Sequence, residues 1–406
     1  MIERSIKVAD NNKKNLQVIC IYGPFDRFNY GDLLFVKAIK YSFEQFYPSK
    51  YNFEFYGMIS FNLSHRGGQK GSGFKAMRKN INNTNQGVVI VAGGESIGAS
   101  WHGLFIFLNK YFAQICRIKL VNRILLKFKI IKVFFSRNSK YAFLINRKDF
   151  KAPIKILYNS VGAISFNCFD KFTLNNMPDY FAVRDNLSFK NISNFDSNVK
   201  LIPDSAIVIS HFENDDYFKL SSNIRSAVLN ISSGKYILFQ ISDWHSQGNL
   251  LIIYQQLIEL QNKLECKIIL CPFSNLPMHS NNRPLNEIYQ YSKGDFIYID
   301  IPSVDEITLL IKNAMYFIGS SLHGVIVSMS YSTPYIGIGI NHGKLQSYLN
   351  TWSISELSGV CEPSSFKEHV RNLHLESIKA KLKLNFAEQL SLYFKSIKTM
   401  HDVIKK

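Results

Sequence analysis

Phe317-Ile318-Gly319-Ser320-Ser321-Leu322-His323-Gly324-Val325-Ile326 reads as a strand that stops at a glycine and a helix that starts a few residues later. Tyr316 to Ile318 is a short β-rich apolar run, and Leu322 to Tyr331 continues as a helix. Ser320 and Ser321 stand where an N-cap belongs. The first amides of such a helix have no intrahelical acceptor and point outward with the positive end of the helix dipole. A turn of this kind can hold an anion, and His323 lies in it. Gly324 leaves room beside that histidine. On these residues alone, a capping turn with an incidental histidine is the favoured reading.

The same strand–helix unit repeats outward in both directions. Tyr335 to Ile338 is a strand after it. Before it come Val304 to Asn313 as a helix, Phe296 to Ile299 and Lys267 to Cys271 as strands, Asn249 to Leu264 as a helix and Tyr236 to Ile241 as a strand. An earlier series holds strands at Gln17 to Tyr22, Val88 to Ala92, Lys155 to Tyr158 and Tyr180 to Val183, with a helix over Asp32 to Tyr47. Strands alternating with helices through short connections mean parallel sheets covered by helices. The fold class expected is α/β, with two Rossmann-like domains. Residues 1–212 would form the first, on the acceptor side, and 213–364 the second, on the donor side. The polar stretch around Glu213-Asn214-Asp215-Asp216 reads as a solvated seam. Residues 365–406 read as an amphipathic helical segment packing back on the first domain. Ligands of open parallel sheets bind beyond the strand C-termini, so a cleft between the domains is the expected site.

At 406 residues, with 46% hydrophobic composition, the chain can fill two cores. Lys and Arg outnumber Asp and Glu by 48 to 30, a field that recruits phosphorylated metabolites, nucleic acid or an acidic membrane face. Six scattered cysteines with no CxxC pair read as buried free thiols in a reducing compartment. Met1 to Asp10 has no apolar leader-like run, and no uncharged apolar run reaches the roughly 18 residues of a spanning helix. A cytoplasmic protein is expected, with peripheral contact at the inner membrane face as a further option. That option comes from residues 117–151, where eleven cations from Arg117 to Lys151 meet one acid, Asp149, among many apolar residues. Such a segment can lie in an anionic membrane interface, or pack on the core with a basic solvated face. Neither helix-turn-helix, RRM nor zinc patterns accompany the charge, so no nucleic-acid partner is expected. HExxH, GxSxG, GxGxxG and P-loop patterns are also missing, and no cofactor or metal is expected.

Other strand ends carry chemistry. Asn29-Tyr30-Gly31-Asp32 follows the first strand as a tight turn, with Asp32 near the next N-cap. Gly93-Gly94-Glu95 follows the core strand, and paired glycines let backbone approach a ligand closely. Val183-Arg184-Asp185 delivers an arginine to a strand end, where its planar fork can read a carboxylate or phosphate, or can pair with Asp185. Ser64 to Gly73 is a basic, glycine-rich stretch that reads as a loop.

In this order, the pieces resemble the polysaccharide pyruvyl transferase family. The resemblance is carried by Asn29/Gly31/Asp32, Gly93-Gly94-Glu95, Val183-Arg184-Asp185…Ser188, Pro203-Asp204-Ser205-Ala206, Ser321-Leu322-His323-Gly324, Pro334-Tyr335 and Lys344. It implies a glycosyltransferase-B-like arrangement, phosphoenolpyruvate as donor, and a cell-envelope or exported sugar, an oligosaccharide or lipid-linked, as acceptor. It matches His323 to a catalytic acid, Arg184 to a donor-binding arginine, and Ser320, Ser321 and Leu322 to the donor turn. Asn29, Asp32, Gly93, Gly94, Glu95 and Lys344 complete the implied binding set. Many members carry Arg where this chain has Ser321; Lys344, Arg66 and Lys70 are the candidates to replace that charge. The Gly-Gly turn has Ala92 and Glu95 where a third glycine is common. Two other readings stay open: a nucleotide-sugar glycosyltransferase of the same build, and a non-catalytic, membrane-associated envelope-assembly protein.

Overall fold

The computed structural model describes residues 16–108, 110–116, 118–127, 141–164, 177–246, 248–276, 281–340, 343–371 and 373–406. Met1 to Asp10, Cys168 and residues 117 and 128–140 of the basic segment lie outside the described residues.

Two sheets organise the chain. The first holds β1 (Gln17–Tyr22), β2 (Tyr51–Gly57), β3 (Phe61–Asn62), β4 (Lys70–Gly73), β5 (Gly87–Ala92), β6 (Ile154–Val161), β7 (Tyr180–Val183) and β8 (Lys200–Leu201). Their spatial order is β3-β4-β2-β1-β5-β6-β7-β8. All neighbours are parallel except β3 with β4. The second sheet holds β9 (Tyr236–Gln240), β10 (Lys267–Leu270), β11 (Ile297–Tyr298), β12 (Tyr316–Gly319), β13 (Tyr335–Ile338) and β14 (Val360–Cys361), in the order β11-β10-β9-β12-β13-β14, all parallel. Gly-Val-Val-Ile-Val-Ala in β5 is buried at every position, as a parallel strand covered on both faces must be. In each sheet the strand order reverses once. The switch lies between β1 and β5 in the first sheet and between β9 and β12 in the second. The loops leaving those strands are therefore the ones that open into the cleft.

The terminal helix Leu375–Lys405 crosses the first sheet, as its amphipathic pattern suggests. Tyr393 Oη accepts from Asn159 at 3.1 Å, Ser396 Oγ lies 2.6 Å from Tyr180 Oη, and Lys155 Nζ donates to the terminal carbonyls of Val403 and Ile404 at 2.8 and 3.1 Å. The last contact places a cation on the negative helix end.

Three expectations change. Glu213 is not a solvated acid: it is fully buried and pairs with Lys37 Nζ at 2.8 Å, which also meets Asp305 at 2.5 Å. These carboxylates hold the Lys37 ammonium well above its usual range, against a burial that would lower it. The Ser64 to Gly73 stretch is a 3₁₀ turn followed by β4, not a loop. Arg66 stacks on Phe28, 3.3 Å from the ring centre, and donates to the Pro302 carbonyl at 2.8 Å. It ties the first half of the chain to the second, and burial pushes it down to about 10. Third, the basic stretch is not uniform. Helices Lys110–Cys116 and Lys119–Lys127 are followed by Tyr141 to Ile145, which are buried in the core beside β5 and β6. No described helix is long and apolar enough to cross a membrane.

Candidate functional site

A cavity of ≈ 620 Å³ opens between the two sheets, beyond the C-terminal ends of their strands. Its walls come from the switch-point loops: Asn29 and Asp32 after β1, Glu95 and Ser96 after β5, Gln240 and Ser242 around the end of β9, Ser320 and Ser321 after β12. Lys344, at the start of helix Lys344–Trp352, lines it too, as do Arg27, Trp244 and His245. The Asn29 turn is stitched across the cleft by a β-bridge to Ser274 and by the Tyr30 amide donating to the Phe273 carbonyl at 3.0 Å.

The His323 turn is built as its sequence suggests. Ser321 is the N-cap, its Oγ accepting from the Gly324 amide at 3.2 Å. Ser320 Oγ accepts from the Ser242 amide at 3.1 Å, and the Ser320 amide donates to Gln240 Oε1 at 3.1 Å, joining the two loops of the second switch point. Leu322 is buried, so it can offer a ligand only its backbone. The space beside Gly324 belongs to protein: a Cβ there would meet the Phe317 ring at 2.3 Å and the Phe273 ring at 3.0 Å.

His323 packs directly on Gly31. A Cβ on Gly31 would lie 1.7 Å from His323 Nδ1, so only glycine admits the ring. Phe35 meets the imidazole edge-on, with centroids 5.1 Å apart. The same Phe35 ring excludes a side chain on Gly93, which adopts φ +39° with Gly94 at +72°. The Gly-Gly turn is thus fixed by a left-handed backbone and by a close approach to Phe35. Gly31→Ala should displace the imidazole and cut turnover by about a hundredfold or more, since a misplacement near 1 Å has that scale of effect. Overpacking should also lower thermal stability. Steady-state turnover at wild-type level in that variant would show that the ring position is not critical.

The buried Asp204 is the hub of the site. Its Oδ2 lies 3.1 Å from Arg184 Nη1 and 3.7 Å from His323 Nε2, the second too long for a hydrogen bond but within ion-pair reach. Its Oδ1 accepts from the Ala206 amide at 3.0 Å. Burial alone would raise Asp204, but His323, Arg184 and that amide hold it below the usual aspartate range. Arg184 is 1% exposed, with Nη2 3.8 Å from Glu95 Oε2. Its fork is turned to the buried Asp204 and toward Glu95 in the cavity wall, and does not itself line the cavity. These charges, Asp204's largest, keep it above its usual range against the opposing effect of burial.

Asp32 and Lys344 face each other electrostatically. Burial lifts the Asp32 carboxyl above its ordinary value, although His323, Arg27, Lys344 and Arg184 all oppose the lift. Lys344 is exposed to the cleft yet enclosed by protein mass, which together with the Arg184 charge pushes its ammonium below the lysine range. Among the described residues no carboxylate comes within 4 Å of it. A group whose folded pKa exceeds its unfolded value of 3.8 costs stability when ionised, and that cost grows as pH rises through the folded value. Asp32→Asn should therefore raise the melting temperature by a few degrees at neutral pH while impairing turnover. The gain should vanish below about pH 4, where the wild-type carboxyl is itself protonated. Melting curves across pH test this; an unchanged or lower neutral-pH midpoint would contradict the burial argument.

Of the residues read from sequence, Asn29, Asp32, Glu95, Ser320, Ser321 and Lys344 line one cavity, with Gly93, Gly94 and His323 directly behind its walls. Arg184 stands further back, and neither Arg66 nor Lys70 lines the cavity. Gln240, Ser242 and Asn281 were not singled out. Gln240 had a signal, a polar residue ending an apolar strand. Asn281 had none: its Oδ1 accepts from the Phe273 and Ser274 amides at 2.8 and 3.1 Å, shaping that loop.

Solved structures share this architecture. The UDP-GlcNAc 2-epimerase of Methanocaldococcus jannaschii superposes with TM-score 0.53 at 13% identity, over 88% of this chain and 94% of that one. A glycosyltransferase from Rickettsia africae gives 0.53 at 9%, over 97% and 100%. The UDP-GlcNAc 2-epimerase of Neisseria meningitidis, bound to UDP-GlcNAc, gives 0.51 at 9%, over 96% and 99%. At such identities the likeness is one of fold, and that fold is glycosyltransferase-B-like. No curated protein matches the sequence. The family model described as polysaccharide pyruvyl transferase matches residues 29–342, from the Asn29 turn, through the Arg184, Asp204 and His323 segments, to the edge of the Lys344 helix. With residues 29–342 matched, most of its length, the chain belongs to the polysaccharide pyruvyl transferase family and is a transferase.

Proposed function

We propose that the protein transfers the pyruvyl group of phosphoenolpyruvate to hydroxyls of a sugar destined for an exported or cell-surface polysaccharide, forming a ketal in the cytoplasm. The observation that supports this best is the pairing, in one cavity, of an exposed cation, Lys344, with the helix start at Ser321. Phosphoenolpyruvate carries a phosphate and a carboxylate on three carbons and needs two such positive partners. Lys344 takes the place of the arginine that Ser321 displaces in this turn. Arg184 acts from behind, fixing Asp204 and through it the imidazole. The donor sits on the second-sheet side and the acceptor on the first.

In this reading His323 gives a proton to the methylene carbon of the enol, and C2 becomes electrophilic. A sugar hydroxyl adds to C2, its proton passing to Glu95 or Asp32 on the opposite wall. The C–O bond to phosphate then breaks, and inorganic phosphate leaves with the bonding pair. A neighbouring hydroxyl adds to the resulting cation and passes its proton to His323, replacing the one that the ring gave, and the ketal closes. One phosphate is released per pyruvyl transferred.

Phosphate release from phosphoenolpyruvate with a panel of acceptor oligosaccharides tests the reaction, and thermal shifts with phosphoenolpyruvate against nucleotide sugars test the donor. Stabilisation by a nucleotide sugar alone would replace this reading with a glycosyltransferase. Lys344→Ala should raise the KM for phosphoenolpyruvate by about 10- to 100-fold, the scale of one charge-assisted hydrogen bond. An unchanged KM would remove Lys344 from the donor site.

A further inference from the structure

Large apolar side chains exposed one at a time are ordinary, but here they are concentrated. Five of them, Tyr111 (65% exposed), Ile115 (47%), Ile118 (58%), Leu120 (67%) and Ile124 (45%), fall within fourteen residues. Tyr111 and Ile115 lie four apart on helix Lys110–Cys116, and Leu120 and Ile124 four apart on helix Lys119–Lys127, so each pair shares a face. The helices are fixed to the body by their other sides. Phe112 meets Phe105 edge-on at 4.9 Å, Ala113 is buried, and Asn122 Oδ1 lies 2.7 Å from His102 Nε2. Among the described residues, an apolar surface is thereby left exposed and held outward.

Its charge identifies the occupant. Lys119 and Arg123 are exposed between the apolar residues. From Ser96 to Lys148 the sequence holds eleven cations and no acid. A second copy of the chain meeting this face through a two-fold axis would set Lys119 and Arg123 against their own copies. A bilayer with anionic headgroups satisfies both components, taking the apolar side chains below the headgroups and pairing the cations with phosphates. We propose that the hairpin of helices Lys110–Cys116 and Lys119–Lys127 docks the protein on an anionic membrane surface.

The position deepens the acceptor assignment. The preceding helix, Trp101–Leu108, places Leu104 and Phe107 in the cavity wall, so the hairpin borders the mouth of the cleft. A sugar carried on a membrane lipid would enter from that side while its lipid stays in the bilayer. The docking surface rests on the exposed residues and their charge, not on the choice of donor.

The test is co-sedimentation of the full chain with vesicles of phosphatidylcholine alone and of phosphatidylcholine with phosphatidylglycerol. Binding is expected to the anionic vesicles and should weaken as salt rises. Leu120→Asp with Ile124→Asp, and separately Lys119→Glu with Arg123→Glu, should each reduce the partition coefficient by about tenfold or more. Both variants should keep the wild-type melting temperature and wild-type phosphate release with a soluble acceptor. The charge reversal guards against a folding defect in the apolar pair. Absence of vesicle binding, equal binding by wild type and variants, or variants that split a dimer while vesicle binding persists would each overturn the proposal. Failure of phosphate release in the wild type would instead count against the reaction and leave the docking result standing.

Discussion

His323→Ala should lower turnover by about 10²- to 10⁴-fold, the range for loss of a positioned acid, while phosphoenolpyruvate still binds. The expectation rests on position. The imidazole is held by Gly31 on one side and Phe35 on another, with Asp204 Oδ2 3.7 Å from Nε2. None of these is needed merely to fill a helix N-terminus. Under the proposed function Lys344, not the ring, would supply the donor-facing charge, so the KM for phosphoenolpyruvate should change far less than kcat. The ring also fills space, and alanine would leave a void against Phe35. His323→Gln, closer in volume and without an imidazole to titrate, controls for that. Loss of turnover in both variants with melting temperatures near wild type assigns the proton transfer to the ring. Glutamine at wild-type turnover would reduce His323 to packing. Deuterium incorporated into the pyruvyl methyl group in heavy water would report the protonation step directly.

The sequence makes the frame of this site legible because strand ends are local features. Tyr180–Val183, Leu322–Tyr331 and Tyr335–Ile338 form where their patterns place them, since apolar runs, a serine cap and short connections are all decided within a few residues. Such runs end at the cleft, so Asn29, Asp32, Glu95, Ser320 and Ser321 could be gathered before any coordinates. The direction a charged side chain takes is a tertiary fact. Arg184 ends a strand and reads as a ligand fork, yet its guanidinium turns inward, because Asp204, twenty residues on, is buried beside it. Glu213 sits in an acidic run and reads as solvated, yet it is buried by Lys37, which lies 176 residues earlier. β2 is missed because Tyr51-Asn52-Phe53-Glu54 alternates apolar and polar residues, unlike the continuous runs around it. β4 is missed because Lys-Gly-Ser-Gly has almost nothing apolar to bury.

Asp204→Ala should be the most destabilising of these changes, because it strands a buried guanidinium. Removing one partner of a buried pair costs about 3–5 kcal/mol, most of it the charge left behind. Glu95 Oε2, 3.8 Å from Arg184 Nη2, would recover a part, which places the expected loss toward the lower end of that range. The folded Asp204 carboxyl lies below its unfolded value of 3.8, so its contribution is complete above that pH and is lost as pH falls through the folded value. The variant should therefore lose stability at neutral pH and show a flatter acid limb than wild type. Arg184→Met alone should also destabilise, since it leaves the buried Asp204 carboxylate without the guanidinium that pairs with it. The double variant, with both charges gone, should be more stable than either single one. Denaturant unfolding of the four proteins gives the coupling energy directly. Near-zero coupling would mean that the two groups act independently and that Asp204 is no hub. The double variant also separates scaffold from chemistry. If Asp204 serves only to neutralise Arg184, restoring stability should restore turnover. If it sets the position and charge of the His323 ring, the double variant should fold well and remain slow. The 3.7 Å approach of that ring to the same oxygen that Arg184 holds favours the second result.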